Sequence, residues 1–100
     1  MQGRFLVCGL ALLVTALPVR ALEGDAEAAK AKISMCIGCH GIEGYRTTFP
    51  EVYPVPKLGG QYPEYIVAAL QAYKAGERSH PTMRSVAAGL SEQDMADLAA

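Results

Sequence analysis

An all-α fold of three to five short helices is predicted for this chain on three observations. Apolar residues recur three and four apart in separate stretches, those stretches carry capping residues at their ends, and no segment alternates apolar with polar residues as a strand would. With 100 residues, 51% of them hydrophobic, and a formal charge of −1, there is room for one small domain.

The first stretch is read as a cleaved leader spanning residues 1–21. Met1 to Arg4 is a short basic start, Phe5 to Leu17 is an uncharged apolar run of 13 residues, and Val19 and Ala21 are small residues where a signal peptidase reads. A spanning helix needs roughly 20 apolar residues, so the run is short for an anchor, the competing reading. Cys8 follows Val7, whereas a lipid-attachment signal requires a small residue there, and it leaves with the leader. The remaining domain, 22–100, has seven Lys or Arg against ten Asp or Glu, a net of −3. Without a basic stripe it is not expected to bind nucleic acid, and it is not expected to insert stably in a membrane. A domain this small often needs a staple beyond its own apolar core.

Helix formation is expected from Asp25 to about Gly38. Asp25 can cap the start, Glu27 sits in the first turn, and Ala29, Ile33, Cys36 and Ile37 recur at helical spacing. This helix ends in Cys36-Ile37-Gly38-Cys39-His40, the C-x-x-C-H spacing of covalent c-type haem attachment. Two thiols one turn apart can add to the two vinyl groups on one porphyrin edge, and the next residue can reach the iron from one face. His40 is the expected proximal ligand. Three rivals use the same residue types. A redox C-x-x-C belongs with alternating strands and helices, which are not seen here. Zinc would need a fourth ligand, and His80 is the only other His or Cys of the domain. A plain disulfide leaves His40 without a purpose.

Residues 41–61 hold four Gly and three Pro with no sustained period and are read as a long loop. Tyr45, Phe49 and Tyr53 give it aromatic material, suited equally to covering a haem face or to padding the core. A helix from Pro63 to Ala75 follows, with Pro63 and Glu64 in the first turn, Gly76 just past the end, and Ile66, Leu70 and Tyr73 as the buried face. Residues 76–84 are read as irregular, and a last helix starts at Ser91, which can cap the amide of Asp94, with Met95 and Leu98 inward.

The opposite face of the iron needs a ligand. Met35 is tied to the proximal side, and Met95 on a helical stripe reads as core filler. Met83 lies in the irregular stretch, where the backbone can aim a thioether and Pro81 stiffens the approach, so Met83 is the expected sixth ligand. His80 competes for that place, its other reading being a solvated loop histidine. A methionine would close the iron to oxygen and raise the potential, favouring electron transfer over catalysis.

Taken together, Cys36-Ile37-Gly38-Cys39-His40-Gly41, Pro56 through Gln61, Tyr65, Tyr73 through Arg78, Met83, and Leu90-Ser91 through Ala100 resemble class I bacterial c-type cytochromes. The likeness is to single modules of the periplasmic di-haem family and their mono-haem relatives, over almost all of residues 25–100. The resemblance implies the cytochrome c fold around one covalently attached haem c, a periplasmic location, and no enzymatic activity. It implies electron exchange with a donor dehydrogenase or quinol-oxidising complex and with an acceptor oxidase or reductase. A place as the cytochrome subunit or domain of a larger oxidoreductase is the alternative, and a haem peroxidase or gas sensor is a more distant one. It also implies that the Pro56 carbonyl faces the second ring nitrogen of His40, that Arg78 faces a haem propionate or is merely a solvated helix-end charge, and that Gln61 and Tyr65 hydrogen-bond nearby. Two departures stand out. Residues 45–55 are longer and more aromatic than the minimal loop. Relatives usually continue the last helix with an aromatic residue, so the domain is expected to be cut short at Ala100, with a second haem module as one outcome.

Overall fold

Proline at the first helical position and glycine just past the last set the longest helix among the described residues. The computed structural model describes residues 22–100; the expected leader, with Cys8, lies outside the described residues. Helix α3 runs Pro63–Ala75, with Glu64 in its first turn and Gly76 after its end at φ 78°. That left-handed conformation suits glycine and lets the Gly76 N–H close on the Ala72 and Tyr73 carbonyls. The Gln61 side-chain oxygen accepts from the Tyr62 N–H at 2.9 Å, just ahead of the helix.

Before α3 come α1 (Ala26–Ala29) and α2 (Ser34–His40), and after it α4 (Pro81–Ala88) and α5 (Glu92–Ala99). The Asp25 carboxylate accepts from the amides of Glu27 and Ala28, starting α1. Ser91 and Asp94 form a reciprocal capping box, each side chain accepting from the other's backbone N–H at 3.1 and 2.9 Å, starting α5.

Three features differ from the sequence reading. The single helix expected over 25–38 is two helices joined by a tightened turn, in which Lys30, Lys32 and Cys36 bond three residues back. Docking on α5 accompanies the break: Ala29 is buried, and Lys32 reaches Asp94 and Asp97. Residues 81–88, expected to be irregular through Arg84, are helical because His80 caps and Pro81 takes the first helical position. The loop over 41–61 contains a two-residue antiparallel ladder, β1 (Arg46–Thr47) against β2 (Tyr53–Pro54), too short to show a period in sequence.

The polypeptide's own core lies where α5 meets α1 and α3, and α3 meets α4. Ala29, Ala87, Leu90, Met95, Ala96 and Ala99 are buried, Met95 completely. Small side chains at four of these positions bring the helix backbones close. At Gly24 the approach is closest, since a Cβ there would sit 2.0 Å from the Ala96 carbonyl oxygen. Residues 23–25 are zipped to α5 by Gln93, which donates to the Glu23 carbonyl at 2.9 Å, and by Asp97, which accepts from the Asp25 N–H at 2.9 Å. The face expected to be buried on α3, Ile66, Leu70 and Tyr73, is only half-buried by protein. Of the stripe expected on the first helix, Ala29 is buried while Ile33 and Ile37 are exposed. Among the described residues no helix is long and apolar enough to cross a membrane.

Candidate haem site

Helix α2 carries Cys36 and Cys39 three residues apart, so that both lie on one side of a single turn, and closes with His40. Both cysteines are half-buried free thiols, and burial pushes the Cys36 thiol above its ordinary value. The His40 Nδ1 stands 2.7 Å from the carbonyl oxygen of Pro56. A carbonyl can only accept, so Nδ1 carries the hydrogen and Nε2 keeps a lone pair able to bind a metal. Pro56 lies in no helix or strand, so its carbonyl is not engaged by the regular backbone ladders.

The apolar side chains near the motif are not covered by the polypeptide. Ile33, Met35, Ile37 and Ile42 are all exposed, as are Tyr53 and Tyr65. Two thiols one turn apart, an imidazole with a free Nε2 and an uncovered apolar surface fit a covalently attached haem, whose macrocycle would bury that surface. Among the described residues no three His, Cys, Asp or Glu side chains gather as a metal cluster, so a closed zinc site is not formed by them.

Of the remaining residues named from sequence, Tyr65 and Arg78 are brought together: the Arg78 guanidinium donates to the Tyr65 hydroxyl at 3.4 Å and lies 4.9 Å from the Tyr73 ring centre. The hydroxyl bond holds Arg78 still more firmly protonated than an ordinary arginine. Gln61 is not drawn into that group; its oxygen is spent on the Tyr62 amide. Met83 is half-buried in the first turn of α4, its N–H donating to His80 Nδ1 at 3.3 Å. Lys74, at the end of α3, donates to the Leu90 carbonyl. The capping role of His80 is missed by reading residues 76–84 as irregular; the His-Pro pair, a cap followed by a first-turn proline, is the signal that finds it.

Residues 26–100 match the protein-family model described as Cytochrome c. Cytochrome c-554(548) of Halomonas halodenitrificans is 39% identical over 80 residues, taking in 77% of this chain and 92% of that protein. Cytochrome c4 of Pseudomonas aeruginosa is 39% identical over 77 residues and cytochrome c4 of Thiocapsa roseopersicina 40% over 79, each alignment taking in 77% of this chain. The chain spans nearly all of the Halomonas protein but only 36% and 38% of the two cytochromes c4.

Proposed function

The chain belongs to the cytochrome c family, an electron-transfer protein with haem c held through Cys36 and Cys39, and we propose that it shuttles single electrons in the periplasm with its iron between His40 and Met83. The observation that carries this reading is the 2.7 Å contact between His40 Nδ1 and the Pro56 carbonyl, which orients the imidazole and leaves Nε2 for iron. Haem c, when bound, supplies the one-electron chemistry. Everything else is done by the chain: the two cysteines tether, His40 coordinates, Pro56 fixes the tautomer and Met83 closes the other face. With His40 and Met83 both holding the iron, no position would be left for oxygen or peroxide, which favours a carrier over a peroxidase or gas sensor.

Export with removal of residues 1–21 is part of the same proposal, because haem c tethered in the periplasm requires the polypeptide to arrive there. Arg78, bonded to Tyr65 at the end of α3, is proposed to face a haem propionate, with Gln61 beside the same edge. Encounters with a donor dehydrogenase or quinol-oxidising complex, and with a terminal oxidase or reductase, are then brief and small in area.

The test is the optical spectrum of the purified protein in both oxidation states, native and Met83→Ala. A weak far-red band in the native ferric form, lost in the variant together with a lower potential, is the expected result. An unchanged spectrum and potential in Met83→Ala would overturn the ligand assignment. A second reading, a domain of a longer protein, is favoured by the chain's coverage of about a third of the cytochromes c4. Native size-exclusion chromatography distinguishes them, since persistent co-elution with a flavin- or copper-bearing chain supports the larger assembly.

A further inference from the structure

We propose that His80 is a positioning residue for Met83, capping the first turn of α4 while Tyr53 and Tyr73 hold its ring in place. This rests on Met83 being the sixth ligand.

The backbone at His80 is extended, φ −161° and ψ 107°, and Pro81 follows at the first helical position. The amides of a helix's first turn have no partner within the helix, and a side-chain acceptor at the cap serves the second or third of them. Here the third is Met83, and Nδ1 of His80 accepts its N–H at 3.3 Å. Accepting through Nδ1 puts the ring hydrogen on Nε2. The residue expected to bear the thioether is thus fixed through its own amide.

The cap is itself braced. The Tyr53 ring meets His80 edge-on, with centres 5.1 Å apart and planes at 73°. From the other element, Tyr73 meets it edge-on at 6.4 Å and 75°, with the Arg78 guanidinium 4.9 Å from the Tyr73 ring centre. Edge-to-face pairs of this separation are attractive beyond the area they bury. Tyr53 lies in β2 and Tyr73 in α3, so the hairpin and the long helix converge on the cap of α4. An asparagine could accept the amide but offers no ring for the two tyrosines to meet, whereas histidine does both. The long aromatic loop, a departure from the minimal family pattern, acquires a purpose: it delivers Tyr53 to His80.

The test compares haem-loaded native protein with His80→Asn, which keeps an acceptor, His80→Phe, which keeps a ring without one, and Tyr53→Ala. Imidazole binding to the ferric protein competes with Met83 and reads how readily it leaves. Losing the acceptor should tighten imidazole binding roughly fivefold and weaken the far-red band, while asparagine restores most of the native value. Tyr53→Ala should fall between. Amide exchange at Met83, read by NMR on the ferrous protein, should be roughly fivefold faster in His80→Phe and near native in His80→Asn. Native behaviour in His80→Phe, or equal shifts in the Asn and Phe variants, overturns the positioning role. Met83→Ala separates the two readings. A lost band in Met83→Ala with a native-like His80→Phe sinks positioning alone. An unchanged Met83→Ala with a fully opened site in His80→Asn makes His80 the ligand, and both readings fall.

Discussion

The imidazole of His40 points Nδ1 at the carbonyl oxygen of Pro56, 2.7 Å away and 16 residues further along the chain. The end of a helix and a turn-free segment of the long loop are thereby joined at one hydrogen bond. A donated ring hydrogen makes the opposite nitrogen more basic, and a more basic ligand favours ferric iron.

Pro56→Ala keeps the carbonyl but frees the backbone that aims it. The bond to His40 should lengthen and the midpoint potential should rise, with the far-red band retained. Potentiometry of the native and variant proteins checks this, and an unchanged potential would show that the bond does not tune the ligand.

Acid should loosen the N-terminal segment from α5. Lys32 bonds Asp94 and Asp97, and the Lys32 bond together with those from Ser91 lowers the Asp94 carboxyl to about 2. Asp97 is lowered too, first by the Gln93 amide, then by the Asp25 N–H and Lys32. Carboxyls depressed in the folded state stabilise it above their ordinary range, and that stability is lost as pH falls from about 4 toward about 2. Melting curves by circular dichroism across this window should show a steep loss. In Lys32→Met the proton uptake on unfolding should drop by about one, so that native and variant converge toward pH 2.

Met95→Ala removes the one large side chain that is completely buried among the described residues. A truncation of this kind leaves a cavity among α1, α3 and α5 and should cost about 2 to 5 kcal/mol. Denaturant titration measures it, and a cost under about 1 kcal/mol would mean the site collapses around the smaller residue.

Gly24→Ala places a Cβ 2.0 Å from the Ala96 carbonyl oxygen, which is backbone and cannot swing aside. The segment must lift from α5, at a cost of about 1 to 3 kcal/mol by denaturant titration. The haem spectrum should stay native, because the contact lies on the core side of the fold.

The helices with ordinary ends were legible. Pro63, Gly76, Ser91 and Asp94 mark their helix boundaries through bonds within a few residues, so local sequence suffices. The break between α1 and α2 is not legible locally; it accompanies the contacts of Lys32 with carboxylates 62 and 65 residues away. Met83 stands apart from Met35 and Met95 by lying in a stretch read as irregular, whereas that stretch is the first turn of a helix, started by a histidine whose ring meets Tyr53 of the hairpin.

The sequence by itself determined the all-α class, the family and the tether through Cys36 and Cys39, since each depends on spacing within one turn or on a cap beside its helix. Only the tertiary structure decided what supports the pentapeptide. The Pro56 carbonyl, which the family resemblance already implies at His40, reaches it across the long loop, and His80 is held between two tyrosines, one from the hairpin and one from α3. No pattern within a single turn encodes such contacts, because the partners come from separate elements joined by loops.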